Sequence, residues 1–222
     1  MNKFKSLALS AFICIATICA AQTLGDAGSV VSQQSMSILN KVSETYKNSN
    51  GTELKLKIGI IDNKSGASNS ASGVIKTAGN KFCLSTNFAD MFYDGKTLNV
   101  YDKQTNELTI STPSKEEVSS VDPTAIITLF KQGYKISEPE FDKTAKFATI
   151  ALYPENRSAA ETMIKITINT ATSTPTQIRT YGKNGVDNLV EIQKIEVNKN
   201  FKDDVFYFNA DKYSKLQIID LR

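Results

Sequence analysis

The sequence predicts an α+β protein, mainly antiparallel β, with about ten strands and two helices. Three observations carry this. From residue 52 onward, apolar side chains recur at every second position in run after run, the period of a strand with one buried and one wet face. Helical spacing appears in two stretches, near residues 30–46 and after Asp122-Pro123. Two helices are too few to cover ten one-faced strands, so the sheet must either curl upon itself or split into two layers. A curled sheet with helices plugging its mouth fits best.

The chain of 222 residues opens as an export leader. Met1-Asn-Lys-Phe-Lys5 is basic, Leu7 to Ile18 is an apolar run too short to span a bilayer, and Cys19-Ala20-Ala21 supplies small residues for cleavage before Gln22. Acylation of Cys19 is the other reading, but it wants a small residue just before the cysteine, where Ile18 stands. Residues 1–21 are therefore expected to be removed and residues 22–222 to form a single domain. Cys14 and Cys19 leave with the leader, so Cys83 stays alone and no intrachain disulfide can form in the oxidising compartment beyond. Its setting, Lys81-Phe-Cys-Leu-Ser85, is that of a buried small hydrophobe.

The first helix places Val31, Ser35, Ile38, Leu39, Val42 and Tyr46 on one face and ends at Asn48-Ser-Asn-Gly51. The period then drops to two. Leu54, Leu56, Ile58 and Ile60 alternate with Glu53, Lys55, Lys57 and Gly59. Strands follow at Ala71–Thr77 and Lys81–Thr86, turned by Ala78-Gly-Asn80. Met91 to Tyr101 reads as a hairpin, with Asp94-Gly95 offering the positive φ angles of a type I′ turn. Another strand lies near Glu107–Ser111. Asp122-Pro123 is an N-cap and first-turn proline for a short helix, apolar around much of its circumference through Ala125, Ile126, Ile127, Leu129 and Phe130, and stopped near Gly133. Strands resume at Tyr134–Ile136, Lys146–Leu152, Met163–Asn169, Thr176–Tyr181, Asn188–Val197, Val205–Phe208 and Leu216–Leu221.

Composition excludes much chemistry. The absence of histidine removes histidine-based triads, imidazole metal sites and imidazole pH switches. A net charge of +3, part of it in the leader lysines, does not indicate a polyanion such as nucleic acid as partner. No phosphate loop, Gly-x-Ser-x-Gly elbow, Cys-x-x-Cys pair or calcium loop is present. Paired carboxylates such as Asp90 with Asp94, Glu116 with Glu117, or Asp203 with Asp204 read as strand or turn residues, whose usual role is solvation. No catalytic residue, metal ligand or cofactor is assigned, and an esterase or other enzyme is disfavoured.

The order of these features resembles the LolA family of periplasmic lipoprotein carriers. The matching stretches are the helix end Ile38-Leu-Asn-Lys-Val-Ser43, the Ser72-Gly-Val-Ile75 strand and the hairpin Phe92-Tyr-Asp-Gly-Lys-Thr-Leu-Asn-Val-Tyr101, similar to the family's Asp-Gly-Lys-Thr-x-x-x-Tyr hairpin. Asp122-Pro123 with its apolar helix, Ile150-Ala-Leu-Tyr-Pro154, Ile164-Lys-Ile-Thr-Ile168 and Phe206-Tyr-Phe208 follow in the family's order. The resemblance implies a curved, unclosed β-barrel of about ten or eleven strands with helices covering its apolar concave side. It implies a monomeric periplasmic carrier whose partners are lipoproteins, held by their acyl chains, an inner-membrane exporter and an outer-membrane acceptor. A module of the same fold for another hydrophobic ligand, or a sensor of envelope lipids, is the alternative. The expected lining, read off the apolar strand faces and the second helix, is Leu54, Leu56, Ile58, Ile60, Phe82, Leu84, Leu98, Val100, Ile126, Ile127, Phe130, Ile150, Leu152, Ile164, Ile166 and Ile168. At one place the resemblance stops: where proteobacterial carriers have an Arg-Pro pair thought to latch the lid, this chain reads Lys76-Thr-Ala-Gly-Asn80. A lysine lacks the guanidinium fork, so that latch is not carried over.

Overall fold

The computed structural model describes residues 32–114, 118 and 133–222. The leader and the segment expected as a second helix, with Ile126, Ile127 and Phe130, lie outside these residues. One helix, α1 (Gln33–Lys47), precedes thirteen strands: β1 (Thr52–Asp62), β2 (Ser68–Ala78), β3 (Lys81–Thr86), β4 (Ala89–Tyr93), β5 (Leu98–Asp102), β6 (Glu107–Ser111), β7 (Tyr134–Ile136), β8 (Glu140–Phe141), β9 (Phe147–Pro154), β10 (Glu161–Asn169), β11 (Thr174–Gly182), β12 (Val186–Glu196) and β13 (Gln217–Asp220). They form one sheet in the order β13-β6-β5-β4-β3-β2-β1-β12-β11-β10-β9-β7, with β8 also on β9. The two ends of that order do not pair with each other, so the curved sheet stays unclosed, as expected. Thirteen strands exceed the ten or eleven expected; β8, of two residues, is too short to show a period, while β13 falls within the stretch Leu216–Leu221 expected as a strand.

The sheet is two meanders, β1 to β6 and β7 to β12, joined where β1 and β12 run antiparallel with Glu53 opposite Glu196 and Asp62 opposite Val186. Gln193 is a bulge residue there. Leu56 faces Ile192 but Leu54 faces Ile195, so the extra residue returns Ile195 to the apolar face that a strict period of two would have denied it. The face carrying α1 is the inner face.

The Asp94-Gly95 hairpin corrects the expectation of a type I′ turn. Its loop has four residues between β4 and β5, and Gly95 takes φ +98° while Asp94 is absent from the positive-φ residues. Asp94 instead closes the loop with its side chain, Oδ1 accepting from the backbone N–H groups of Lys96 at 2.8 Å and Thr97 at 2.7 Å. A Cβ at Gly95 would come within 2.7 Å of the Asn80 side chain, so this loop and the β2–β3 turn are fitted to each other.

The outer face carries a second correction. Val205–Phe208, expected as a strand, is a 3₁₀ turn at Asp203–Phe206 followed by extended backbone, with another at Ala210–Lys212. Residues 197–216 form a strap over β3 to β6. Phe208 stacks on Tyr213 with centroids 4.8 Å apart, meets Phe92 edge-on at 5.7 Å and touches Tyr101 at 5.9 Å. Phe206 is buried and packs edge-on against Phe201. The strap begins where Gly51 meets it: a Cβ there would stand 2.6 Å from the Lys199 carbonyl oxygen and 3.0 Å from the Phe201 ring. It ends in β13, which pairs parallel to β6, while every other pairing in the sheet is antiparallel.

Cys83 lies on this outer face, opposite Phe92, and is half-buried beside the strap. Burial first, and then the Asp90 carboxylate, pushes its thiol up to about 11. At pH 8 iodoacetamide should therefore label Cys83 far more slowly in the native protein than in urea; equal rates would show the thiol uncovered. Phe206→Ala should lower unfolding stability by about 3–5 kcal/mol, the usual cost of deleting a buried aromatic ring, as read from urea titration.

Candidate functional site

Two apolar clusters share the inner face. One gathers Ile136, Ile150, Leu152, Ile164, Ile166, Ile168 and Ile178 from β7 and β9 to β11 under Leu39 and Val42 of α1. The other gathers Leu54, Leu56, Ile75, Phe82, Leu84, Met91 and Tyr93 from β1 to β4, with Ile58, Leu98 and Val100 packed at its margin. Tyr46, Val190 and Ile192 touch both clusters and so span the β1–β12 junction. The central inner positions of β1, β3, β4, β9, β10 and β11 carry no charged side chain.

The expected lining residues sort onto this map. Ile150, Leu152, Ile164, Ile166 and Ile168 fall in the first cluster, and Leu54, Leu56, Phe82 and Leu84 in the second, all buried. Ile58, Leu98 and Val100 are partly buried, and Ile60 belongs to neither cluster. Ile75, Met91, Tyr93 and Ile178 were not expected but share the face. Their signal was available in the pairing parity: Ile75 lies opposite Leu54, Met91 opposite Leu84, Tyr93 opposite Phe82 and Ile178 opposite Ile166.

The helix that covers this face is tied at both ends by polar bonds. At its start, the Ser32 hydroxyl accepts from the Ser35 N–H at 3.2 Å and donates to Glu138 Oε2 at 2.6 Å, while the Ser35 hydroxyl donates to the Ser137 carbonyl at 2.7 Å. Past its end, the Ser49 hydroxyl donates to the Gly51 carbonyl at 2.6 Å and accepts from the Asn198 N–H at 2.8 Å. Between these ties the inner stripe is apolar except for two hydroxyls. Ser43 Oγ and the Tyr46 hydroxyl are buried and have no hydrogen-bond partner among the described residues. Each such orphan costs about 1–3 kcal/mol, so the pair weighs against the stability of the fold. Burial pushes the Tyr46 phenol well above its ordinary value, which keeps it a donor.

On its other side, α1 borders an open groove of about 700 Å³ lined by Gln33, Met36, Ser37, Asn40, Lys41 and Glu44. None of the expected lining residues borders it. These positions follow the polar stripe of the helix, and Met36 alone also reaches the first cluster.

The carboxylates considered at the outset are occupied by structural partners. Asp90 is buried, accepts from the Ser85 hydroxyl at 2.5 Å and pairs with Lys103 at 2.6 Å. Asp94 closes its loop, and Asp203 pairs with Lys81 at 2.5 Å at the surface. Glu116 and Glu117 lie outside the described residues. Lys76, in the stretch compared above with the Arg-Pro pair, points to the outer face: it lies 4.0 Å from Glu53 and 5.7 Å from the centre of the Phe201 ring. It is thereby assigned to the strap rather than to α1. No group of three or more histidine, cysteine or acidic residues able to hold a metal occurs among the described residues, and none of their helices is long and apolar enough to cross a membrane.

An uncharacterized conserved protein from Thermus thermophilus superposes with a TM-score of 0.54 at 11% identity, over 85% of this chain and 99% of that one. A LolA superfamily protein from Nitrosomonas europaea gives 0.43 at 12% identity over 80% and 99%, and the MucA/MucB complex of Pseudomonas aeruginosa gives 0.34 at 10% over 79% and 61%. No curated protein matches the sequence. Residues 27–183 match the family described as outer membrane lipoprotein carrier protein LolA, and with that match over most of its length the chain belongs to the LolA family.

Proposed function

We propose that this protein is a periplasmic carrier that takes lipoprotein acyl chains between its curved sheet and α1 and moves them from an inner-membrane exporter to an outer-membrane acceptor. The observation that carries the reading is the continuous apolar inner face, two clusters joined across β1 and β12, covered by a helix that packs on it through Leu39, Val42 and Tyr46 and whose polar ties, among the described residues, are hydrogen bonds at and just past its ends. The leader is removed before Gln22, residues 22–222 work as one monomeric domain, and the reaction is reversible burial with no covalent chemistry.

The physical need is plain. At about 0.8 kcal/mol per methylene, a chain of about fourteen methylenes resists exposure to water by about 11 kcal/mol, and a lipoprotein carries up to three. A carrier must hide that surface and still release it, which calls for an apolar wall of adaptable side chains and a cover held weakly. Leu54, Leu56, Ile58, Ile60, Phe82, Leu84, Leu98, Val100, Ile150, Leu152, Ile164, Ile166 and Ile168 form that wall in this reading, with Ile126, Ile127 and Phe130 contributing from outside the described residues. In the unliganded state the buried members of the wall pack on one another, so loading requires α1 to shift outward.

One observation favours the second reading, a module of the same fold for another hydrophobic ligand. Lys76 faces the strap, so the family's latch has no counterpart at this position. A single experiment separates the two. Purification from the periplasm, organic extraction and mass spectrometry should return acylated polypeptides; free lipids alone would assign the second reading, and empty protein in cells with active lipoprotein export would overturn both.

A further inference from the structure

We propose that the Ser43 and Tyr46 hydroxyls of α1 are the hydrogen-bond donors that receive the ester carbonyls of the bound acyl chains. The inference rests on the acyl-carrier reading and adds to it the part of the ligand that is not hydrocarbon. A fatty chain drawn into an apolar hollow brings its ester with it, and a buried carbonyl without a donor carries the same penalty as a buried hydroxyl without an acceptor. The wall offers such a carbonyl little, because apart from Tyr93 and Thr180 its buried positions are aliphatic, methionine or phenylalanine side chains.

The helix offers two donors. Ser43 and Tyr46 stand three residues apart on the stripe that also carries Leu39 and Val42, the spacing that sets side chains one above another on a helix face. Tyr46 lies against both clusters, at the seam where a chain entering either one must pass. Neither hydroxyl has a partner among the described residues, although the neighbouring hydroxyls of Ser32, Ser35 and Ser49 are all bonded. Two unsatisfied donors side by side in an apolar interior are a cost to the empty protein that a carbonyl-bearing ligand removes. The Tyr46 phenol remains protonated, and hence a donor, across the physiological pH range.

The test compares two ligands that differ in their carbonyls. A dipalmitoylglyceryl-cysteine peptide carries two ester carbonyls; its dihexadecyl ether analogue has chains of the same length and none. Each displaces a fluorescent hydrophobic probe from the full mature chain. The wild type should prefer the ester by roughly ten-fold, the worth of one or two buried hydrogen bonds. Tyr46→Phe and Ser43→Ala should each reduce that preference several-fold while leaving ether affinity unchanged. Thermal melting guards against misfolding: removing an orphan hydroxyl at constant shape should leave the melting temperature of Tyr46→Phe unchanged or higher. An ester preference that survives both substitutions, or that the wild type never shows, overturns the inference while leaving the carrier reading intact. Failure of the wild type to bind either ligand overturns the carrier reading, and the inference with it.

Discussion

The pairing of β1 with β12 is the constraint on which the rest of the structure depends. The other strand neighbours in the two meanders are consecutive in the chain, except β7 and β9, which are separated only by β8, whereas this pair brings together segments more than a hundred residues apart in sequence. Closing so long a loop is entropically costly, and the return is the apolar ladder Leu54, Leu56 and Ile58 opposite Ile195, Ile192 and Val190. Without that ladder there would be two small sheets, each with an apolar face of its own. With it, the two faces become one, and Val190, Ile192 and Tyr46 can touch both clusters. The Gln193 bulge is the local device that keeps both Ile192 and Ile195 on the inner side. The family match ends at residue 183, before β12 begins, so the strand that unites the meanders lies beyond the matched region.

How much of this could be read in the sequence follows from the range of the interactions involved. Long strands with strict alternation, such as β1 and β10, were visible because a half-buried sheet enforces a period of two over many residues. The inner-face residues on those strands were found for the same reason. What escaped is what depends on distant partners. Val205-Phe-Tyr-Phe208 alternates as a strand does, with Phe206 buried and Tyr207 exposed, but the surface it packs on is the outer face of another meander, and the backbone follows that surface in a 3₁₀ turn. β13 was visible within Leu216–Leu221, but its parallel pairing with the distant β6 was not, and β8, two residues long, exists only through its pairing with β9. The Asp94 loop was placed correctly and its geometry was not, because a carboxylate accepting two backbone N–H groups competes with the two-residue turn that Asp-Gly favours.

The candidate site was legible as a face and illegible as a space. Alternation tells which side of a strand is apolar, and it says nothing about whether that side is filled by the protein or left for a ligand. Polar satisfaction speaks to that question, because native folds rarely leave buried hydroxyls unbonded. Here the two orphans fall on α1, which covers the apolar face, three residues apart and near Ser32, Ser35 and Ser49, whose hydroxyls are all engaged. Periodicity drew attention to Tyr46 as a core residue; its hydroxyl acquired meaning only once its surroundings were known.

The strap completes the physical logic. A protein that must open its inner face cannot draw all its stability from that face. The outer surface of β3 to β6 holds a separate aromatic core, in which Phe206, Phe208, Tyr101, Tyr213 and Phe92 bury area without touching either inner cluster. Movement of α1 would disturb Leu39, Val42 and Tyr46 directly, whereas the outer aromatic contacts lie across the sheet and are linked to the end of the helix only where the Asn198 N–H meets the Ser49 hydroxyl. Lys76 marks the division: on β2 beside the inner-face Ile75, it reaches outward over the Phe201 ring and helps hold the strap. Stability on one face and adaptability on the other follow from a single sheet whose strands alternate, because each side chain is committed to one side by its parity.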